Sequence, residues 1–198
     1  DGARGVHVGD IDGDGDLDIV SASFNDDTIA WYENDGNANP SWTAADIATS
    51  ADGASAVYVA DMDGDGDLDI VSASFYDDTI AWYENDGAAT WTPAFTAADI
   101  STSADGPQDV HVGDMDGDGD LDIVSVDYYN VTWYENDGAA NPSWTATNIA
   151  TNLHAGFIVH IADLDGDGDL DILSTSSANS TISWYENDGN ANPSWTAT

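Results

Sequence analysis

The chain has 198 residues, 41% of them hydrophobic, and sets 39 acidic side chains against a single base, Arg4, for a net charge of −38. That balance excludes nucleic acid and anionic membrane as partners, since both call for Lys and Arg to neutralise phosphate, and it leaves no cations for salt-bridge networks. There is no cysteine to form a disulfide, no apolar run approaches the roughly 18 residues of a membrane span, and eight Trp and eight Tyr separate the chain from disordered acidic sequences.

The opening "DGARGVHV" lacks signal-peptide character, so an exported protein would carry it as a mature segment. "GVHVGD" then alternates Val6 and Val8 against His7, a first strand of period two. An acidic stretch, "DIDGDGDLD" at 10–18, runs directly into "IVSAS", a second strand. "DTIAWYEN" is a β-branched and aromatic third strand closed by the turn signal "NDG", and "SWTAADIAT" reads as a weaker fourth. No segment carries a helix-length apolar stripe.

The same order recurs along the whole chain. "WYENDG" begins at Trp31, Trp82, Trp133 and Trp184, a constant step of 51, and the acidic stretch begins at Asp10, Asp61, Asp114 and Asp163. The third copy is two residues shorter between these landmarks, "IVSVDYYNVTWYE" against "IVSASFNDDTIAWYE". Four short strands per unit of about fifty residues is the pattern of a propeller blade. The expected fold is therefore all-β: a β-propeller of four repeated four-stranded blades, in one domain over 1–198 with repeats 1–51, 52–104, 105–153 and 154–198. The first and last repeats are as regular as the middle ones, without the polar caps of an open solenoid. Either the blades close into a four-bladed ring or they are one slice of a longer array, and closure is the expectation.

The acidic stretches carry the chemistry. Each places five aspartates at positions 1, 3, 5, 7 and 9: Asp10, Asp12, Asp14, Asp16 and Asp18; Asp61, Asp63, Asp65, Asp67 and Asp69; Asp114, Asp116, Asp118, Asp120 and Asp122; Asp163, Asp165, Asp167, Asp169 and Asp171. Carboxylates this close repel strongly without a divalent ion. A hard cation that takes six or seven oxygens suits them, which points to Ca²⁺ ahead of Mg²⁺, about four per chain. Gly13 and Gly15 allow the backbone to wrap around it. The opening D-x-D-x-D-G matches an EF-hand loop. Position 12, however, holds Ser21, Ser72, Ser125 or Ser174 where an EF-hand supplies Glu, and no helix flanks the loop.

With "VxVGD" before it and "LDIV" after, the motif resembles the FG-GAP or VCBS repeat family, whose members include calcium-binding propeller blades of integrin α-chains, propeller lectins and large secreted bacterial proteins. The likeness covers all four units and is to the bacterial branch, because "WYENDG" stands where the FG-GAP residues would be. It implies that the side chains at positions 1, 3, 5 and 9 and the backbone carbonyl at position 7 hold calcium, and that the ions serve structure ahead of chemistry.

Further candidates are lesser. His7, Tyr58, His111 and His160 share one place in the first strand and are expected to pack between blades, while His154 falls in a loop. The Trp and Tyr of "WYENDG" should pack on opposite faces. Trp42, Trp91, Trp144 and Trp195 are candidate platforms for stacking sugars. Asn130 ("NVT") and Asn179 ("NST") are acceptor sequons for N-glycosylation. The resulting expectation is a secreted or surface calcium-binding module for adhesion, with glycans or other extracellular proteins as partners. The alternative is a self-associating building block of an extracellular filament or array. A polysaccharide-active enzyme is the third reading and the least favoured: no nucleophile stands beside a His–Asp pair, and Arg4 alone cannot hold acidic sugars. The chain is expected not to be an enzyme.

Overall fold

The computed structural model describes residues 1–87 and 94–197. The chain forms two compact units, Asp1–Gly106 and Pro107–Thr198, each built from two four-stranded sheets. In the first unit, blade 1 is the meander β1 (Ala3–Gly9), β2 (Asp18–Ser23), β3 (Thr28–Asn34) and β4 (Trp42–Ala48). Blade 2 is β5 (Ala54–Ala60), β6 (Asp69–Ser74), β7 (Thr79–Asn85) and β8 (Phe95–Ser101). In the second unit, blade 3 is β9 (Asp109–Gly113), β10 (Asp122–Val126), β11 (Val131–Asn136) and β12 (Trp144–Ala150), and blade 4 is β13 (Gly156–Ala162), β14 (Asp171–Ser176), β15 (Thr181–Asn187) and β16 (Trp195–Ala197). Every pairing is antiparallel between strands consecutive in sequence, and no helix occurs among the described residues. These are the all-β, four-stranded propeller blades, four in number, that the repeats predict.

Residues paired across strands share a face, so Val8, Ile19 and Tyr32 form one side of blade 1 and His7, Val20 and Trp31 the other. Both faces carry apolar side chains, and within each unit one face of each blade packs against its neighbour. We call the face with Val8 and its counterparts leading and the opposite face trailing. In unit 1, Val20, Ala22, Ile29 and Trp31 on the trailing face of blade 1 pack against Val57, Val59, Ile70 and Tyr83 on the leading face of blade 2. In unit 2, Val124, Val126, Val131 and Trp133 meet Val159, Ile161, Ile172 and Tyr185. The Trp and Tyr of each "WYENDG" thus lie on opposite faces, as the period of two demands. Full burial of one such aliphatic or aromatic side chain contributes about 1.5–3 kcal/mol.

In the first two blades the β2–β3 and β6–β7 hairpins tie the sheet to the chain segment that leaves it. Asp27 turns with a positive φ of 57°, and its Oδ1 accepts the Gly53 N–H at 2.9 Å. Asp78 does the same for Gly106 at 3.0 Å. The shortened third copy closes its hairpin differently: the buried Asp127 accepts the N–H groups of Tyr129 and Asn130 at 2.7 and 2.6 Å through Oδ1.

Candidate metal loops

Each acidic stretch connects the first and second strands of its blade, and its own carboxylates wind it. In blade 1, Asp12 Oδ1 accepts the Asp14 N–H at 3.2 Å and Asp14 Oδ1 the Asp16 N–H at 2.9 Å. Asp10 Oδ2 reaches across to the Gly15 N–H at 2.9 Å. The same bonds recur in the other three loops, at 3.1–3.2, 2.9–3.0 and 3.0–3.2 Å. Gly13 and Gly15 sit at φ of 73° and 96°, in the left-handed region that an L side chain resists, so the winding needs glycine there.

The result is four clusters in which three carboxylate oxygens lie within 4.8 Å of one another: Asp10, Asp12 and Asp14; Asp61, Asp63 and Asp69; Asp114, Asp116 and Asp118; Asp163, Asp165 and Asp167. Their carboxyls sit in a mutually unfavourable field. Those of Asp12, Asp63, Asp116 and Asp165 are all raised above the ordinary value, by desolvation first and then by neighbouring carboxylates. The donors are all oxygen, as a hard cation requires. Asp10 Oδ1 is buried with no hydrogen-bond partner, an acceptor that a cation would satisfy. The residues fit a divalent cation.

The remaining two aspartates of each loop are placed differently. The side chains of Asp16, Asp67, Asp120 and Asp169 at position 7 turn against Gly36, Gly87, Gly138 and Gly189, where any Cβ would collide with the carboxylate. The glycine of "WYENDG" is therefore part of the loop's wall. Position 9 is the anchor. Asp18 is buried, with Oδ2 accepting the Ile11 N–H at 3.1 Å and Oδ1 the Asn34 N–H at 2.8 Å. Asp69, Asp122 and Asp171 repeat the pair of bonds. Burial pushes the Asp69 carboxyl up to about 6 and that of Asp122 to about 7, against the pull of these N–H groups. Asp69 also belongs to the second cluster.

One set of functional residues is not evident from the sequence, where "NDG" has the look of a plain turn. Asn85 Nδ2 donates to the Ile11 carbonyl in the loop of blade 1 at 2.9 Å, and to Leu68 in its own loop at 3.2 Å. Asn187 Nδ2 bridges Met115 and Leu170 in the same way, at 2.8 and 3.1 Å. One amide thus clamps the loops of two successive blades. The signal that could have revealed it is the constancy of "WYENDG" in all four copies.

The other candidates are scattered. Trp42 is exposed and Trp144 and Trp195 are half-buried, with Trp195 packed on the core of unit 2; Trp91 lies outside the described residues. The Asn130 amide donates to both oxygens of Asp127, at 3.2 and 3.0 Å, and the Asn179 amide donates to the Leu153 carbonyl at 2.6 Å. The rings at the shared first-strand position meet in pairs, His7 with Tyr58 at 4.3 Å and His111 with His160 at 4.7 Å between centroids. Arg4 stacks its guanidinium over the Phe24 ring, 3.4 Å from the centroid. Where the end of blade 1 meets blade 2, a cavity of about 290 Å³ is lined by Ser50, Ser74, Asp77, Thr79, Tyr83 and Asp99, among others.

A family model described as FG-GAP-like repeat matches the chain at 10–72, 61–125 and 114–174, each match running from one acidic loop through the next. No curated protein sequence matches. Among solved structures, a lectin from Agrocybe aegerita, described for its specific recognition of non-reducing terminal N-acetylglucosamine, is similar over 98% of this chain, at 21% identity and a TM-score of 0.63. The chain spans about half the length of that lectin, covering 51% of it. At this identity the likeness is one of fold.

Proposed function

The chain belongs to the FG-GAP-like repeat family, and from that premise we propose that it is an extracellular, calcium-loaded propeller module that binds glycans and performs no chemistry on them. The observation that carries the reading is the set of four clusters, each with three carboxylate oxygens within 4.8 Å. Asp10, Asp12 and Asp14 would hold the ion in blade 1, Asp61, Asp63 and Asp69 in blade 2, and the counterparts of the first set in blades 3 and 4. Position 9 keeps the first and second strands in register through its two backbone N–H bonds. A bound Ca²⁺ supplies charge neutralisation and cross-linking of the loop. Because the ion is held only in the folded state, each site occupied at 100 times its Kd adds about 2.7 kcal/mol of stability.

Export suits the proposed calcium sites, because extracellular calcium fills oxygen sites of Kd near 10⁻⁴–10⁻³ M. Glycan binding is supported by the likeness in fold to the Agrocybe lectin and by the cavity of unit 1, whose hydroxyls and carboxylates suit sugar hydroxyls. Trp42 adds an exposed aromatic face. A binding role without catalysis is supported by the engagement of the reactive groups: loop carboxylates wind their own backbone, and first-strand imidazoles face a neighbouring ring.

Calorimetric titration of chelator-treated protein with CaCl₂ should give about four ions per chain and a large rise in Tm; no heat and no rise would remove the metal reading. A glycan array that includes terminal N-acetylglucosamine should then show calcium-dependent binding, lost in Asp99→Ala or Trp42→Ala. A blank array with fully loaded protein would remove the glycan reading alone.

A further inference from the structure

The cavity of unit 1 opens where its repeat departs from the matching stretch of unit 2. At the counterparts of Ala51, Ser74 and Asp77, unit 2 carries Leu153, Ser176 and Asn179. Leu153 is buried and packs into the core of its unit. Ser176 Oγ lies 2.6 Å from the Leu153 carbonyl and 2.7 Å from that of His154, and the Asn179 amide donates to the Leu153 carbonyl at 2.6 Å. Those polar groups are spent within the chain. In unit 1 Ala51 offers only a methyl group, and its carbonyl accepts the Ala54 N–H at 2.9 Å. Ser74 is 1% exposed and lines the cavity, and its hydroxyl has no hydrogen-bond partner among the described residues.

We propose that this cavity takes a sugar that carries a free, protonated amine, its ammonium held between Asp77 and Asp99 and its hydroxyls by Ser74 and Tyr83. The proposal rests on the glycan reading above and adds the charge of the ligand. Asp77 and Asp99 are both exposed, yet no residue that lines the cavity is Lys, Arg or His. The single base of the chain, Arg4, is stacked over Phe24. Burial raises the Tyr83 hydroxyl above its ordinary pKa, and the charges of Asp77 and Asp99 raise it further, so both carboxylates bear on one phenol.

A neutral hexose could hydrogen-bond to these carboxylates but would leave both charges uncompensated. An ammonium compensates them and brings three hydrogens to donate. Acetylation of the amine removes that charge, so the acetylated sugar loses the advantage. Ala48, Ala51, Ala81 and Ala97 add apolar wall for the C–H groups of a ring. The volume of about 290 Å³ lies at the small end of the range for small-molecule sites, about 300–1,000 Å³, which suits a single ring. Unit 2 has Asn179 in place of one carboxylate and the bulkier Leu153 in place of Ala51, so the same joint there lacks both the charge and the room.

Calorimetric titration of calcium-saturated protein with glucosamine, glucose and N-acetylglucosamine tests the proposal. Glucosamine should bind about tenfold more tightly than either neutral sugar, and added NaCl should narrow the gap. Asp77→Asn and Asp99→Asn together should erase it. That pair removes two of 39 acidic side chains, so the general field of the protein hardly changes and the loss places the amine at the cavity. Ala51→Leu, which puts the residue of unit 2 into unit 1, should abolish glucosamine binding at constant charge. Unit 2 already accommodates Leu at this position, and unchanged circular dichroism and calcium stoichiometry will show that each variant folds. Neutral sugars that bind as tightly as glucosamine, or an amine preference that survives the double variant or Ala51→Leu, would overturn the proposal and leave the glycan reading standing. Failure of all three sugars to bind would overturn it as well, and a blank glycan array beside that failure would remove the glycan reading too.

Discussion

The two units solve the same packing problem with different first strands. In unit 1, β1 and β5 approach backbone to backbone: a Cβ on Gly5 would lie 2.8 Å from the Ala56 Cα. In unit 2, Asp109 takes the place of Gly5, and its Oδ2 accepts the Val159 N–H of β13 at 3.1 Å. The ring pairs differ as well, tilted by 36° between His7 and Tyr58 but at 89° between His111 and His160. The asparagine clamp does not differ, reaching the preceding loop at 2.9 Å in one unit and 2.8 Å in the other. The loop clamp is the constant part of a blade joint, and the first strands adapt around it.

The largest break in that comparison should come from the close approach. Gly5→Val forces methyl groups against the Ala56 backbone, which cannot yield as a side chain end would. It should cost unit 1 about 3 kcal/mol, the upper part of the overpacking range, and leave unit 2 unchanged. Hydrogen exchange resolved by segment would show faster opening in 1–106 only. Next come Asn85→Ala and Asn187→Ala. Each removes three side-chain hydrogen bonds, two donated to loop carbonyls and one accepted from the Gly87 or Gly189 N–H, and strands the carbonyls, at about 1–3 kcal/mol by denaturant unfolding, with weaker calcium binding at the two loops it joined. Equal costs for the two variants would sharpen the claim that the clamp is shared; a negligible cost for either would break it.

The remaining effect is one of pH and belongs to unit 2. Burial pushes the Asp109 carboxyl up to about 6, while the N–H groups of Val159 and Val110 and the nearby His160 pull it down. The unfolded chain holds this proton less tightly, with a pKa of about 3.9. The stabilising contribution of protonation is therefore complete below about pH 4 and is lost as pH rises through about 6. At saturating calcium, wild type minus Asp109→Asn should show stability falling from pH 4 to 7. A difference independent of pH would mean that the carboxyl titrates normally.

Much of the molecule was legible before folding. The strands come from alternation, as in "GVHV" and "TIAW", and the loops from five aspartates with glycine between them, because both depend on neighbours only a few residues away. The clamp was not legible, since Asn85 reaches Ile11 across 74 residues and Asn187 reaches Met115 across 72. Nor was the division of labour within the loop. Five chemically identical aspartates become ligand candidates, a wall contact at Asp16 and a buried anchor at Asp18 according to where the β3 end falls. The shortened third copy announced a different turn but not that Asp127 would close it.

By itself the sequence determined four copies of a strand meander and four oxygen-rich loops, since period and ligand chemistry are written into local order. Only the tertiary structure decided which copies of a face are covered. Val6 and Val57 occupy the same place in the same repeat, yet one is 66% exposed and the other 6%. Burial belongs to what lies beside a residue, and no residue encodes its neighbour's position alone.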